Sequence, residues 1–382
     1  MLNICSNYNA KKNEIIFSYI ENDYFFSHKV TSDKFGEIIN QEALALVSIY
    51  MRPKNSDSYR LIGVDVPNST LEWINRFVGP TLSEYNESVE STTTMLNSDV
   101  RWFLAFSGGF DSVAAHYLLK DIWPYSLGSV DYGGSFSREA LFFSQFNTSV
   151  IKSDIRSQKE KFNENIDWRF LVSPLMLLSR PNEKMVMMNG TIMEASPFWF
   201  SGKKREISTG LNHVFGVDWS SISPVGSITE YGTTLIASKV LDKDAYLESL
   251  KSLASENSFK RYRKQVLHAC IYCESPPKKS ENIRKHIFGT SFGEDMVALY
   301  VTWKLGRKYV SENYCDAIPE SFDIDMSFFE KINMENIKLV PTGLRNELLA
   351  KLKSFDLEEM TEFDLINIDS CVDFRKKFLA VK

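Results

Sequence analysis

An apolar run that ends in two adjacent glycines is the feature that most restricts how this chain can fold. The segment from residue 100 to residue 117 reads VRWFLAFSGGFDSVAAHY. A continuous apolar run is typical of a strand covered on both faces, as in a parallel sheet. Apolar residues at helical spacing follow the glycines, from Val113 to Leu118. The pattern predicts a buried parallel strand, a tight glycine turn and a helix.

Strand and helix patterns continue to alternate beyond this turn. Alternation of this kind predicts βαβ units and hence an α/β fold with a doubly wound parallel sheet. The expected strands are 126–132, 149–155 and 185–190, and the expected helices are 137–146 and 173–179.

Three regions are expected along the chain. Residues 1–95 predict a small β-rich domain, because short β-branched and aromatic runs alternate there with Asn, Asp and Ser turns, before a polar linker. Residues 96–245 contain the strand–turn–helix pattern and form the expected sheet domain. Residues 246–382 are charged and helical in pattern, as in the amphipathic segments near 246–270 and 293–310.

The composition of the chain argues against nucleic-acid-binding, secreted disulfide-rich and membrane proteins. The chain has 382 residues, with 44 Lys and Arg against 49 Asp and Glu, a formal net charge of -5. An acidic balance argues against broad nucleic-acid binding. The five cysteines are too scattered for a disulfide framework, and neither a signal peptide nor a membrane span is indicated. We expect a soluble, cytoplasmic protein of bacterial or phage type, compatible with a homodimer.

The glycine turn has the features of a phosphate-binding device. A helix N-terminus offers unpaired N–H groups and the positive end of the helix dipole, which stabilise an anion. Gly108 and Gly109 would let the backbone approach the anion and adopt positive φ. Ser107 and Ser112 could donate hydroxyl hydrogen bonds, and Asp111 could cap the helix or hold Mg²⁺. The lysine of a Walker A loop is missing. The alternative is a plain strand–helix turn capped by aspartate.

The hexapeptide SGGFDS, residues 107–112, resembles the PP-loop of the N-type ATP pyrophosphatases. That superfamily includes asparagine synthetase, NAD synthetase, tRNA thiolation enzymes and 7-cyano-7-deazaguanine synthase. The resemblance implies a Rossmann-like sheet, ATP with Mg²⁺, and cleavage between the α and β phosphates. It also implies that Asp111 and Ser112 are catalytic. The implied nucleotide-binding residues in the loop are Ser107, Gly108, Gly109, Phe110, Asp111 and Ser112.

A second segment points to one branch of this superfamily. VDYGGSFSREALFF, residues 130–143, is similar to the DYGQRH-x-x-E segment of 7-cyano-7-deazaguanine synthases. Asp131, Tyr132 and Gly133 match, and Glu139 falls at the matching spacing, so the resemblance implies that these four residues contact the acceptor substrate. Gly, Ser and Phe occupy positions 134–136 in place of Gln-Arg-His. A strand-to-helix turn that reads DYG by chance is the alternative.

The strand end at VMMNGT, residues 186–191, is a further candidate for nucleotide binding. Ligands of α/β proteins bind where parallel strands end, which selects Asn189 and Gly190. The following loop lacks the acidic and cysteine residues of the family but carries Lys203 and Lys204 beside Arg205. Such cations could bind ATP phosphates. A solvated basic turn explains them equally well.

The segment HACIYC, residues 268–273, has the spacing of a zinc half-site. The synthases that the chain resembles carry four zinc-binding cysteines in this region, whereas only Cys270 and Cys273 are present here. His268 and His286 could complete a Zn²⁺ site, because neutral imidazole is a good zinc ligand. The alternative is a decayed site that leaves two buried thiols.

The resemblance leads us to expect an enzyme that forms AMP and pyrophosphate while activating a carboxylate or amide oxygen. The acceptor would be a deazaguanine-like small molecule or a partner protein, since similar PP-loop proteins occur in anti-phage systems. Two alternatives remain: tRNA thiolation through Cys270 or Cys273, and an inactive nucleotide-binding interaction module. We also expect Asp111→Asn to leave the fold intact, because the strand end is expected to be exposed.

Overall fold

The computed structural model describes residues 2–52, 59–64, 70, 72–74, 100–133, 140–158, 168–181, 183–201, 212–216, 219–253, 258–316, 318 and 321–381. The strands are β1 (Leu2–Asn9), β2 (Glu14–Glu21), β3 (Tyr24–Thr31), β4 (Tyr59–Ile62), β5 (Val100–Ala105), β6 (Ser126–Asp131), β7 (Thr148–Ser153), β8 (Lys184–Met188), β9 (Asn212–Gly216), β10 (Trp219–Ile222), β11 (His286–Ile287) and β12 (Cys315–Asp316).

The α-helices are α1 (Gln41–Tyr50), α2 (Phe110–Leu119), α3 (Ala140–Phe143), α4 (Trp168–Val172), α5 (Pro197–Ser201), α6 (Glu230–Val240), α7 (Lys243–Leu253), α8 (Phe259–Tyr272), α9 (Phe292–Leu305), α10 (Arg307–Asn313), α11 (Met334–Ile337), α12 (Thr342–Lys353) and α13 (Glu362–Val381). The segment expected to be helical at 173–179 forms a 3₁₀ helix, Ser173–Leu178. In the described part of the chain, no helix is long and apolar enough to cross a membrane.

The chain divides into two compact units. The first, here called the sheet unit, comprises Met1–Ser107, Tyr125–Met188 and Glu206–Ile222. The second, the helical unit, comprises Gly108–Pro124, Asn189–Arg205 and Ser223–Lys382.

Within the described ranges, the sheet unit contains one sheet of ten strands in the order β4-β1-β2-β3-β7-β6-β5-β8-β10-β9. The five central strands, β7-β6-β5-β8-β10, are parallel to one another, whereas β3 and β9 pair antiparallel with the outer two. Residues of β5 such as Phe103 and Leu104 are fully buried, as expected for a strand covered on both faces. The α/β class expected from the sequence is confirmed.

The N-terminal strands extend this same sheet. β1, β2 and β3 form an antiparallel meander, and β3 pairs with β7 through Val30 and Ser153. Buried residues of β2, such as Phe17, belong to one apolar cluster with Phe103 of β5. The expected boundary near residue 95 therefore does not coincide with a unit boundary, because strands that belong to the expected first domain share a sheet and a core with the later strands.

The helical unit also differs in extent from the region expected at 246–382. The chain enters it three times, at Gly108, Asn189 and Ser223, shortly after the parallel strands β5, β8 and β10 end. Its apolar core contains residues from α8 and α9 together with Met193 and Phe200. The helical unit is therefore assembled from the segments that follow the central strands as well as from the C-terminal third of the chain.

The packing of the central strands yields a testable prediction. Gly128 lies in β6, and an added Cβ there would meet Leu175 Cδ2 at 2.8 Å and two ring carbons of Phe103 at 3.1 and 3.2 Å. Overfilling a packed core costs about 1–3 kcal/mol. We predict that Gly128→Ala destabilises the protein by this amount, seen as a lower midpoint of denaturant unfolding.

Gly36→Ala is the matched control, since its added Cβ would come no closer than 3.5 Å to its nearest contact, the carbonyl oxygen of Ile38. We expect it to change stability by less than about 0.5 kcal/mol. Equal effects of the two substitutions would contradict the packing described here.

Candidate functional site

The turn between β5 and α2 is held by hydroxyl groups of the helical unit. Gly108 has a φ of +75°, in the left-handed region that favours glycine. Gly109 has a φ of −76°, so the positive φ expected for both glycines is found at Gly108 alone. Ser249 Oγ donates to the Gly108 carbonyl oxygen at 2.7 Å, and Ser112 Oγ donates to that of Gly109 at 2.9 Å. These bonds hold the turn in one conformation.

The other two predicted loop residues differ in their surroundings. Ser107 is exposed and is the last residue of this segment of the sheet unit. Phe110 is fully buried, and its ring packs on Tyr246 with 4.8 Å between ring centroids. The Phe110 side chain therefore anchors the start of α2, and only its backbone N–H remains a candidate to contact a ligand.

A second segment lies against the start of α2. Gly190 follows β8, and an added Cβ there would lie 3.0 Å from the carbonyl carbon of Asp111 and 3.1 Å from the amide nitrogen of Ser112. Only glycine allows this approach between two backbones. The neighbouring Asn189 is buried, and its Oδ1 accepts a hydrogen bond from the Thr191 N–H at 2.9 Å. The structure thus places Gly190 against Asp111 and Ser112, while the binding roles expected of these residues stay predictions.

The carboxylate of Asp111 is fixed through one of its oxygens. Oδ1 accepts hydrogen bonds from Thr233 Oγ1 at 2.6 Å and from Lys264 Nζ at 3.0 Å. Oδ2 accepts none from any residue in the described ranges, and the side chain is 28% exposed. Desolvation raises the pKa of Asp111, but the charge of Lys264, the Thr233 hydrogen bond and the charge of Lys260 together lower it below its usual value.

Lys264 is a buried ammonium shared by two carboxylates. Its side chain has no exposed surface, and Nζ lies 3.0 Å from Asp111 and 3.1 Å from Glu230 Oε1. Desolvation lowers the pKa of Lys264, but the two carboxylates raise it above its usual value. Removing one partner of a buried ion pair costs about 3–5 kcal/mol, because the other charge remains buried. Asp111 therefore also has a structural role as a partner of the buried Lys264.

The ion pairs continue from Glu230 along α8 and into α9. Arg263, one residue before Lys264, lies 3.0 Å from Glu230 through Nε and 2.7 Å from Glu294 through Nη1. Its guanidinium can reach both because it presents donors in several directions. Two acids from different helices are therefore joined by one cation of α8.

His286 extends the ion pairs to the C-terminal helix. Its ring nitrogens lie 3.1 Å from Glu294 and 2.6 Å from Asp295, and Asp295 also pairs with Arg375 of α13 at 2.5 Å. Burial lowers the pKa of His286, but these hydrogen bonds and charges raise it above its usual value. The result is an unbroken alternation of acid and base, here called the charge chain, with the members Asp111, Lys264, Glu230, Arg263, Glu294, His286, Asp295 and Arg375.

Glu194 is a buried carboxyl group beside the charge chain. It is 1% exposed, and its Oε1 accepts the N–H of Glu230 at 2.7 Å, at the start of α6. Its Oε2 is buried without a hydrogen-bond partner. Burial, the charge of Glu230 and the charge of Asp111 raise the pKa of Glu194 to about 8, against the opposing effect of backbone hydrogen bonds. Glu194 is therefore mainly protonated at neutral pH.

No sequence motif marks five of the residues around Asp111, namely Glu194, Glu230, Thr233, Arg263 and Lys264. The basic cluster FKRYRKQ at the start of α8 was visible only as a charged amphipathic segment. Its basic residues at 260, 263 and 264 have the spacing of one helix face, which is the only local signal of a shared role. Nothing local shows that this face meets α2.

The DYG segment lies at the end of β6 in the sheet unit. Asp131 is buried, and its Oδ1 accepts the Gly133 N–H at 3.1 Å. The hydroxyl of Tyr132 donates to the carbonyl oxygens of Phe170 and Leu171, both at 3.0 Å. The Tyr132 ring stacks on that of Phe170. These bonds give Tyr132 a structural role in holding α4, and its hydroxyl is already engaged there.

The predicted zinc ligands are not brought together. Cys270 is buried in α8, whereas Cys273 is exposed and ends that helix in the left-handed conformation, with a φ of 53°. His268 lies 3.8 Å from Glu274, and His286 belongs to the charge chain. Among the described residues, no three His, Cys, Asp or Glu side chains group as they would around a metal ion. Cys273 thus has a local role as the helix C-cap.

Three predicted contact residues, Glu139, Lys203 and Arg205, lie outside the described residues, as does Lys204. Their expected roles stay predictions.

Comparison of the chain with protein-family models, with curated proteins and with solved structures gives no match.

The buried carboxyl of Glu194 leads to a prediction about pH. The unfolded chain has an ordinary glutamate pKa near 4.5, so between that pH and about 8 the folded state holds a proton that the unfolded state has lost. Folding stability should then fall as pH rises through this window, by at most about 1.4 kcal/mol per pH unit.

Glu194→Gln keeps an oxygen for the Glu230 N–H and cannot ionise. We predict that the variant loses this part of the pH dependence and is more stable than the wild type at pH 8. Thermal unfolding at pH 5, 6, 7 and 8 measures how stability depends on pH in the wild type and in the variant. Parallel pH profiles for the two proteins would show that Glu194 ionises normally in the folded state.

Proposed function

We propose that the protein binds ATP at the turn 107–112 and cleaves it between the α and β phosphates, releasing pyrophosphate. The observation that carries this proposal is the arrangement at the start of α2. A glycine turn with one left-handed residue opens a ten-residue helix, and a second glycine, Gly190, lies against its first turn. Close backbone approach at a helix N-terminus is how proteins bind phosphate groups.

The residues present fit a nucleotide bound with Mg²⁺. Mg²⁺ is usually held by one or two carboxylates together with substrate phosphates. Asp111 suits this role, since Oδ1 is fixed by Thr233 and Lys264 while Oδ2 has no hydrogen bond within the described ranges. When bound, the ion would neutralise charge on the phosphates as the bond breaks.

In this proposal most of the catalysis is electrostatic. An acceptor oxygen forms a bond to the α-phosphorus, the bond to the bridging oxygen breaks, and its electron pair leaves with pyrophosphate. The N–H groups at the start of α2 are fixed before the reaction, so they stabilise the developing charge without rearranging. The hydrogen bonds of Ser249 and Ser112 to the glycine carbonyls keep these groups in place.

We propose the finer fold assignment on the same grounds. Five parallel strands with a glycine turn after β5 are compatible with a Rossmann-like sheet of the PP-loop type. The anti-phage context rests on the resemblance alone. The cytoplasmic location rests on the composition, and the homodimeric state is a further proposal. The acceptor is proposed as a carboxylate or amide oxygen of a deazaguanine-like molecule or a partner protein.

Cys270 and Cys273, the two expected sulfur carriers, do not favour tRNA thiolation. A sulfur carrier needs an accessible thiolate. Burial raises the pKa of the Cys270 thiol to about 12. Cys273 is exposed, but it lies at the C-terminus of α8, where the helix dipole disfavours an anion.

The proposed reaction is tested by its products. The protein is incubated with Mg²⁺ and ATP labelled at the α-phosphate, with and without a deazaguanine carboxylate and ammonium. We predict labelled AMP together with pyrophosphate. Formation of ADP would contradict cleavage at the α-phosphate. Binding of ATP without either product would favour the interaction module over the enzyme.

Two substitutions test whether the turn is the site. Gly190→Ala places a Cβ against backbone atoms at the start of α2, and we predict at least a tenfold loss of ATP affinity by calorimetry. Gly226→Ala is the control, because the three nearest atoms to its added Cβ, at 3.3–3.7 Å, belong to Ser223 and Thr191 and not to α2. Equal affinities of both variants would contradict the site.

Asp111→Asn should abolish turnover and also lower the thermal midpoint. The earlier expectation of an unchanged fold does not agree with the structure, because Asp111 is a partner of the buried Lys264. A variant with full turnover would exclude a catalytic role for this carboxylate.

A further inference from the structure

Lys260 and Lys264 lie one turn apart on α8 but differ in their partners. Lys264 is buried between two carboxylates. Lys260 has exposed surface, although partial burial lowers the pKa of its ammonium against the opposing charge of Asp111. It makes no hydrogen bond or ion pair with any residue that the structure describes. Side chains four residues apart share a helix face, so both lysines are directed to the same side of α8. The charge of Lys260 indeed reaches Asp111 and contributes to lowering the pKa of that carboxyl.

Lys260 adds a positive charge that the charge chain does not neutralise. The charge chain contains four acids and four bases, each paired with its neighbours, so its formal charges cancel when His286 is protonated. Glu194, the further carboxyl at this end, is mainly neutral because its pKa is raised to about 8. Lys260 is therefore a cation that the described acids around Asp111 leave unpaired, beside a helix N-terminus that itself attracts anions.

We propose that Lys260 is a substrate-binding residue whose ammonium contacts the β- or γ-phosphate of the nucleotide held at the start of α2. This inference rests on the proposed function and adds a residue to it. Lysine binds phosphate as a mobile point charge, through charge-assisted hydrogen bonds. Its long side chain can follow the pyrophosphate as the bond to the α-phosphorus breaks.

A purely structural role does not account for Lys260. An exposed lysine without an ion-pair partner contributes little to folding stability. Lys264 contrasts with it, because the carboxylates of Asp111 and Glu230 both pair with that ammonium. The two lysines of this helix face thus have different roles. Lys264 fixes the Asp111 carboxylate, and Lys260 is available to bind the ligand.

The test measures binding of Mg²⁺-ATP and of pyrophosphate by titration calorimetry to the full chain. Three variants are compared with the wild type: Lys260→Ala, Lys260→Arg and Arg261→Ala. The last is the matched control, since it removes the same charge from the next position of the same helix, about 100° around the helix axis. Thermal unfolding of each variant verifies that the fold is kept.

We predict that Lys260→Ala weakens pyrophosphate binding at least tenfold, that Lys260→Arg restores most of the loss, and that Arg261→Ala changes it less than twofold. All three variants should unfold within a few degrees of the wild type. Equal effects of Lys260→Ala and Arg261→Ala would overturn the assignment, because only the general charge of α8 would then matter.

The inference and the proposed function fail in different ways. If the wild type binds ATP and forms AMP while Lys260→Ala is unchanged, only the role of Lys260 is excluded. If the wild type binds neither ATP nor pyrophosphate, the proposed function fails and the role of Lys260 fails with it.

Discussion

The ammonium of Lys264, buried between Asp111 and Glu230, is the interaction on which the arrangement of the helical unit depends. It joins α8 to the start of α2 and to the start of α6. Separating a buried charge from its partner is unfavourable, because the cost of removing the charge from water is then no longer offset by the ion pair. The position of the Asp111 carboxylate is therefore fixed by a helix that lies more than 150 residues later in the sequence.

The charge chain extends this constraint through the helical unit. Arg263 joins α6 to α9, and His286 and Arg375 add the short strand β11 and the C-terminal helix α13. Each acid has bases on both sides except at the ends, where Asp111 meets the glycine turn and Arg375 is the last cation. The C-terminal third of the chain thus helps to build the candidate site and is more than an addition to the sheet.

What the sequence could predict was local. The strand, glycine turn and helix at 100–119 follow from a continuous apolar run, two glycines and helical spacing, and the structure contains all three. Gly190 was also recognisable, because it follows a buried strand. Lys264 and Glu230 were not, since a buried lysine has no local signature and its partners are distant in sequence.

Local patterns also led to interpretations that the structure does not share. Cys270 and Cys273 have zinc spacing, yet the second of them ends a helix and the first faces a core. The N-terminal strands were expected to form a domain of their own, but β3 pairs with β7. That pairing joins residues more than 100 positions apart, so no local pattern indicates it. The strand pairing is non-local, whereas the capping role of Cys273 is local but is not visible in the cysteine spacing.

The most direct test of the account is a crystal structure of the full chain with Mg²⁺ and an ATP analogue whose α–β bridging oxygen is replaced by a methylene group. The account predicts that the β- and γ-phosphates lie at the first N–H groups of α2, with the Lys260 ammonium within hydrogen-bond distance and the Lys264 ammonium still between its two carboxylates. Phosphates bound elsewhere, with the turn at 107–112 unoccupied, would contradict it.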